Sequence, residues 1–247
     1  MSAYTYTRAF EKSLQAVEGL GVTRSNLLKL LRSIDTVGWN RREESGRLDR
    51  RAFGRFATGE VNIFSRRDYV EAERAAVEVL VDCSSSMEID NRIFLAQDIA
   101  IQLGNIFDKA KVSFAVDGFR STRSPFEVIP FKQWNESFRK AAKKLGQIGS
   151  FACGTTPDYS ATQYALSQLA TRPEAKKILF LLTDANGYKR AEVEQVKSTA
   201  QALGITIVAV GIGNTEVEDL YTNAVNVRSV RDLAGKAFNA LIKAVQK

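Results

Sequence analysis

An apolar run that breaks into a carboxylate and a cluster of hydroxyls is the feature that most constrains this chain. Residues 77–82 are rich in β-branched side chains, which is typical of a buried strand. Residues 83–87 follow as Cys-Ser-Ser-Ser-Met, where the chain must turn into the next helix. Asp82, Ser84 and Ser86 thus have the spacing D-x-S-x-S, and a turn at the carboxyl end of a parallel strand lets such short side chains converge.

The chemistry of these side chains suits a hard cation. One carboxylate and two hydroxyls form a good partial shell for Mg²⁺, which prefers oxygen ligands and keeps several waters. Ser and Asp are also favoured in helix N-caps and turns, so capping alone is the competing interpretation. Two stretches favour the metal site: residues 154–158 (Gly-Thr-Thr-Pro-Asp) precede a helical pattern, and residues 178–184 are a second buried strand that ends in Asp184.

Together these motifs resemble the von Willebrand factor A (VWA) family and its metal-ion-dependent adhesion site (MIDAS). The resemblance implies a doubly wound, mostly parallel α/β sheet with helices on both faces, and Mg²⁺ or Mn²⁺ as the bound ion. It implies five direct or water-mediated ligands: Asp82, Ser84, Ser86, Thr156 and Asp184. Thr156 is preferred to Thr155 because the family often has Thr-Pro with Ala four positions after the Pro, as at Pro157 and Ala161.

A narrower resemblance, over about residues 39–190, is to CobT-type proteins. These are the VWA subunits of aerobic cobaltochelatase and their relatives, which work with a MoxR-like AAA+ ATPase. The resemblance is carried by residues 46–49 (Gly-Arg-Leu-Asp), 61–64 (Val-Asn-Ile-Phe) and 132–134 (Lys-Gln-Trp). The chain departs from the family pattern at Ala185, where Gly is usual, which favours a general VWA partner of an ATPase over a cobalt chelatase.

Composition excludes several function classes. The 247 residues, 45% of them hydrophobic, suffice for one large α/β domain and a smaller appendage. No histidine is present, which excludes Ser-His-Asp triads and His-ligated zinc. The two cysteines, the lack of a signal-like N-terminus and the lack of a membrane-length apolar run predict a cytoplasmic protein with reduced thiols. The glycine-rich turn at residues 211–214 lacks a Walker lysine, so nucleotide binding is not expected.

Two regions are expected: a helical, arginine-rich N-terminal region over residues 1–75 and the VWA domain over residues 76–247. The net charge of +7 raises the question of nucleic acid, but the arginines of residues 41–67 alternate with acids, which favours a solvated or docking face. Within the domain we expect a turn at Asp117-Gly118, a helix capped by Thr156, edge strands near residues 126–131 and 225–227, and a helix from residue 231 onward.

The expected function is a Mg²⁺-dependent interaction module whose ion is completed by an Asp or Glu of a protein partner. The family resemblance implies a MoxR-type ATPase as that partner, and the chain is not expected to be an enzyme on its own. Two alternatives remain open. A metal-dependent hydrolase would need a base other than His. An RNA-binding protein of the Ro type would be expected to carry long helical repeats, which this sequence lacks.

Overall fold

The computed structural model describes residues 3–15, 38–43, 45, 47–48, 64–68, 75–186, 188–213, 216–229 and 232. The chain divides into two compact units. The smaller unit is Arg32–Glu73, and the larger combines Met1–Leu31 with Arg74–Lys247. The N-terminal helix therefore belongs to the larger unit, and the boundary near residue 74 lies close to the expected start of the VWA domain.

The described residues of the smaller unit form three antiparallel strands, β1 (Gly38–Glu43), β2 (Arg47–Leu48) and β3 (Phe64–Asp68), in the order β1-β3-β2. Trp39 pairs with Arg67, and Leu48 pairs with Phe64. The expectation of a helical region is therefore wrong for these residues, because their backbone groups are satisfied by pairing across β3. Phe64 is half-buried. Residues 16–37 of the expected helical region lie outside the described residues.

A six-stranded sheet forms the centre of the larger unit, and its order is β6-β5-β4-β7-β8-β9. Among the described strands of this sheet, β6 runs antiparallel to its neighbour and the other pairs are parallel. The strands are β4 (Ala75–Asp82), β5 (Ser113–Arg120), β6 (Glu127–Lys132), β7 (Lys176–Thr183), β8 (Ile205–Ile212) and β9 (Ala224–Val227). The predicted doubly wound α/β fold, with edge strands near residues 126–131 and 225–227, is confirmed.

Helices cover both faces of this sheet. On one face, α1 (Ala3–Gln15), α2 (Arg92–Ala110) and α3 (Phe138–Leu145) share a buried apolar cluster with Val77, Val79 and Val81 of β4, and α1 packs on α2 and α3. On the other, α4 (Asp158–Ala170), α5 (Arg190–Ala202) and the short α6 (Val217–Leu220) pack with Ala76 and Leu80. Apolar residues on both sides of β4 explain its nearly continuous hydrophobic sequence.

The first helix is held by aromatic packing. The Phe10 ring of α1 is buried, and its centroid lies 5.1 Å from that of Phe138 in α3. Burial of such a side chain contributes about 1.5–3 kcal/mol. No helix among the described residues is long and apolar enough to cross a membrane.

Two local expectations are wrong. Asp117 and Gly118 do not form a turn; both lie within β5, where a Cβ on Gly118 would come within 2.6 Å of the Phe131 ring and 2.9 Å of Cys83 Sγ. The glycine is therefore a packing requirement. Helix α4 begins at Asp158 with Pro157 in the N-cap position, so Thr156 does not cap it. Of the helix expected from residue 231, only residue 232 is described.

Candidate metal centre

The candidate ligands lie at the carboxyl ends of the two central strands. β4 ends at Asp82, and β7 ends at Thr183, directly before Asp184. The strands are parallel neighbours, with Val81 opposite Leu182. Their ends therefore meet at one edge of the sheet, which is where open α/β sheets bind ligands.

Asp82 is fully buried and accepts two hydrogen bonds from neutral donors. Its Oδ1 accepts the backbone N–H of Ser84 at 2.8 Å, and its Oδ2 accepts the Thr183 hydroxyl at 2.9 Å. Burial raises the pKa of Asp82 to about 6, and these hydrogen bonds act in the opposite direction. A carboxylate buried without a positive partner is electrostatically suited to a cation.

The two serines of the motif place their hydroxyls side by side. Ser84 Oγ lies 3.0 Å from Ser86 Oγ, with Ser84 buried and Ser86 half-buried. A short 3₁₀ segment follows (Ser85–Asn91), and Ser84 is its N-cap residue without making a side-chain capping hydrogen bond. The capping interpretation therefore does not account for the Ser84 hydroxyl.

A second loop joins the first through the backbone. The Ser85 N–H donates to the Gly154 carbonyl at 3.0 Å, and the Cys153 N–H donates to the Cys83 carbonyl at 2.9 Å. Gly154 has a φ of +80°, and a Cβ there would lie 2.0 Å from the Ser121 carbonyl oxygen, so only glycine fits. These contacts bring the Gly-Thr-Thr-Pro loop against the D-x-S-x-S loop.

The two threonines of this loop differ in exposure. Thr155 is exposed, and its backbone pairs with that of Ser121 in an isolated antiparallel bridge. Thr156 is half-buried. The difference in exposure favours Thr156 over Thr155 as the candidate ligand, and its role as a ligand remains a prediction.

Asp184 has different partners from Asp82. Its Oδ2 accepts a hydrogen bond from Arg92 Nη1 at 2.9 Å, and its Oδ1 accepts the Asn186 N–H at 3.1 Å. The next residue, Ala185, has a φ of +53°, in the left-handed region that glycine adopts most easily. Glycine, usual at this position in the family pattern, would suit this backbone.

Arg92 is the residue of this site that sequence reasoning missed. It is the first residue of α2, where a cation opposes the helix dipole. An arginine in that unfavourable position was the available signal. Sequence alone, however, does not show that the start of α2 lies beside the end of β7.

The donor set fits a hard divalent cation. Within the described residues, no group of three or more His, Cys, Asp or Glu side chains could hold a metal. A metal at this edge would therefore need the serine and threonine hydroxyls as well as the two carboxylates, which is an oxygen set suited to Mg²⁺ or Mn²⁺. Cys83 and Cys153 are free thiols; Cys83 Sγ lies against Gly118, and Cys153 Sγ accepts a hydrogen bond from Arg120.

The fold and the position of this cluster define an α/β protein with a carboxylate–hydroxyl site at its central strand ends. The family follows from the sequence: the chain belongs to the von Willebrand factor type A domain family, whose model matches residues 77–240. No curated protein matches the chain.

Solved structures share the fold at low identity. The manganese-loaded TRAP protein of Plasmodium vivax is 16% identical, with a TM-score of 0.52 over 66% of this chain and 71% of that one. Proximal thread matrix protein 1 from the mussel byssus, with a zinc-occupied MIDAS motif, is 21% identical, with a TM-score of 0.51 over 70% of this chain and 47% of that one. A von Willebrand factor type A protein from Catenulispora acidiphila is 18% identical, with a TM-score of 0.50 over 70% of this chain and 43% of that one. This chain thus spans less than half the length of the last two, and the likeness is one of fold.

Proposed function

We propose that this chain is a divalent-cation-dependent protein-interaction module. Asp82, Ser84, Ser86, Thr156 and Asp184 would hold Mg²⁺ or Mn²⁺, directly or through water. The observation that carries the proposal is the Ser84–Ser86 hydroxyl pair, 3.0 Å apart, next to the buried Asp82 carboxylate. The manganese of the TRAP protein and the zinc in the MIDAS motif of the mussel protein support a divalent ion as the bound species.

The role of the cation would be to present a positive, electrophilic position at the surface. The chain's own part is to fix the oxygen donors: Thr183 and Ser84 orient the Asp82 carboxylate, and the Gly154 carbonyl anchors the motif loop at Ser85. Because hydroxyls carry no charge, the bound ion would keep affinity for an added carboxylate. An Asp or Glu of a protein partner is the group that fits this need.

We further propose that the partner is a MoxR-type AAA+ ATPase and that this chain acts as its adaptor or regulatory subunit in the cytoplasm. The support is the resemblance to CobT-type proteins in residues 46–49, 61–64 and 132–134. The proposed organisation remains an N-terminal region over residues 1–75 and a VWA domain over residues 76–247. The hydrolase and RNA-binding alternatives gain no observation from the site.

Metal binding is tested by titrating the metal-free chain with Mn²⁺ and following free Mn²⁺ by electron paramagnetic resonance. Wild type should bind one ion, and Asp82→Asn should lose at least about tenfold in affinity. Asp117→Asn is a matched control, since Asp117 is also a buried acid, on the neighbouring strand. Equal Mn²⁺ binding by wild type and Asp82→Asn would refute the proposed site.

The partner is tested by affinity capture from the native cell, with and without EDTA. Capture of an AAA+ ATPase by wild type in Mg²⁺, and its loss both in EDTA and with Asp82→Asn, would support the proposal. An ATPase captured equally in all three conditions would bind elsewhere on the chain. No ATP turnover is expected from the purified chain alone.

A further inference from the structure

A guanidinium group already neutralises one of the two candidate carboxylates. Arg92 Nη1 lies 2.9 Å from Asp184 Oδ2; the Arg92 side chain is 20% exposed, and that of Asp184 is fully buried. Asp82, by contrast, is hydrogen-bonded by a backbone N–H and a hydroxyl. The charged groups of the site are therefore two carboxylates and one guanidinium, and their charges sum to −1.

The local structure around Arg92 is energetically unfavourable in several respects. Two left-handed residues, Asp90 with a φ of 51° and Asn91 with a φ of 56°, lead into the helix that Arg92 begins. Its Nε is buried and has no hydrogen-bond partner among the described residues. An unsatisfied buried donor, a cation at a helix N-terminus and two left-handed residues each disfavour this arrangement.

The space for this side chain depends on a glycine at the end of β8. Gly213 has a φ of +91°, and a Cβ there would lie 3.1 Å from Arg92 Nε and 3.7 Å from Arg92 Cζ. The guanidinium thus lies over the ends of β7 and β8, between Gly213 and Asp184. The Arg92 guanidinium thus lies beside the candidate metal centre despite several local costs.

We propose that Arg92 sets the charge balance of the site, so that divalent-cation binding and carboxylate binding reinforce each other. With Arg92 present, a bound divalent ion leaves one net positive charge, which one incoming Asp or Glu carboxylate cancels. Without it, the two aspartates alone neutralise the ion, and the net electrostatic attraction for an added carboxylate is lost. This inference rests on the proposed function and identifies the residue that couples the ion to the acidic partner.

The test measures Mn²⁺ affinity by isothermal titration calorimetry at a pH well above the pKa of Asp82. Each protein is titrated in acetate, which serves as the carboxylate probe, and in chloride at equal ionic strength. The variants are Arg92→Gln and Arg92→Met, which remove the charge, and Arg92→Lys, which keeps it. Arg172→Gln is the matched control. Arg172 is similarly exposed, at 24%, and pairs with an acid, Glu174. Both residues precede β7 and therefore lie at the amino ends of the strands, away from the candidate metal centre.

In chloride, Arg92→Gln and Arg92→Met should bind Mn²⁺ about tenfold more tightly than wild type, because one nearby positive charge is gone. In acetate, wild type and Arg92→Lys should gain Mn²⁺ affinity, and the two neutral variants should gain less or none. Arg172→Gln should behave as wild type. Circular dichroism checks folding, and if Arg92→Gln fails to fold, Arg92→Met carries the test.

The two proposals fail in different ways. In one outcome, Asp82→Asn loses Mn²⁺ binding, but the neutral Arg92 variants keep the Mn²⁺ affinity and the acetate effect of wild type. This result would overturn the role of Arg92 and leave the proposed function standing. Mn²⁺ binding that is absent from wild type, or equal in wild type and Asp82→Asn, would overturn the proposed function and this inference with it.

Discussion

Two pairs of buried acids lie on the central strands, and they differ in their partners. Asp82 and Asp184 stand at the strand ends, and the structure gives every carboxylate oxygen of this pair a donor. Glu78 and Asp117 lie inside β4 and β5, on the face covered by α4 and α5. Neither oxygen of Glu78 has a hydrogen-bond partner among the described residues.

The two pairs show how burial and hydrogen-bond donors affect the pKa of a carboxyl group. Burial and the nearby charge of Asp117 raise the pKa of Glu78 well above its usual range. Burial raises the pKa of Asp117 to about 6. Each oxygen of the strand-end pair accepts a hydrogen bond, one of them from Arg92, whereas neither oxygen of Glu78 has a partner among the described residues. Burial alone therefore does not mark a site; the fixed donors do.

The largest expected effect concerns stabilisation by the metal. At a Mn²⁺ concentration about 100 times the dissociation constant, wild type should gain about 2.7 kcal/mol in the free energy of unfolding. Asp82→Asn should gain almost nothing, and Asp117→Asn should gain as much as wild type, because only the strand-end acid is a proposed ligand. Chemical denaturation with and without Mn²⁺ measures this. If both variants lost the stabilisation by Mn²⁺, the strand-end acids and the acids inside the sheet would not differ in their role in metal binding.

The next effect concerns the pair inside the sheet. Replacing Glu78 by Leu should raise the free energy of unfolding at neutral pH by about 1–3 kcal/mol, since a buried polar group without a partner is removed. The surrounding face is apolar, with Leu80 and Leu179 among its buried residues. Denaturation midpoints at a constant m-value measure the change. A loss of stability in Glu78→Leu would mean that the carboxyl group has a partner or that leucine does not fit.

A pH profile gives an independent measure of Glu78. Its folded pKa lies above the unfolded value of about 4.3, so the folded chain keeps a proton that the unfolded chain releases. Its contribution to stability is therefore full below about pH 4.3 and is lost as pH rises towards the folded pKa. Glu78→Gln should remove this fall, so the stability difference between Glu78→Gln and wild type should grow with pH. A difference independent of pH would contradict the raised pKa.

Much of the fold was predictable because β-branched, apolar runs mark strands buried on both faces. Residues 77–82, 178–182 and 205–210 show this pattern, and all three form strands with a neighbour on each side. Asp82, Ser84 and Ser86 were predictable because a single turn holds them. Backbone hydrogen bonds join that turn to the Gly154 loop, and β7 pairs beside β4, but the joint role of the three loops as a metal site remains a prediction.

Other features depend on contacts between distant segments. The Asp117-Gly118 dipeptide is a strong local turn signal, yet packing of Phe131 and Cys83 against Gly118 keeps it in a strand. Arg92 meets Asp184 across 92 positions of sequence. Neither contact leaves a periodic pattern, so propensity and spacing do not reveal it. The strands of residues 38–68 were missed because an arginine-rich segment shows little alternation of apolar and polar residues.

The smallest expected effect concerns the backbone of the loop that carries Asp184 at the end of β7. Ala185 has a φ of +53°, a conformation that costs an L-residue about 1–2 kcal/mol and glycine almost nothing. Ala185→Gly should therefore raise the free energy of unfolding by up to about 1 kcal/mol, after the greater entropy of glycine in the unfolded chain is subtracted. Ala191→Gly is the matched control: Ala191 lies in α5 without a positive φ, so the same substitution should destabilise. Denaturant titration of both variants measures the difference. Equal destabilisation by both would show that the left-handed backbone at Ala185 carries no strain, and that the Asp184 loop does not favour glycine.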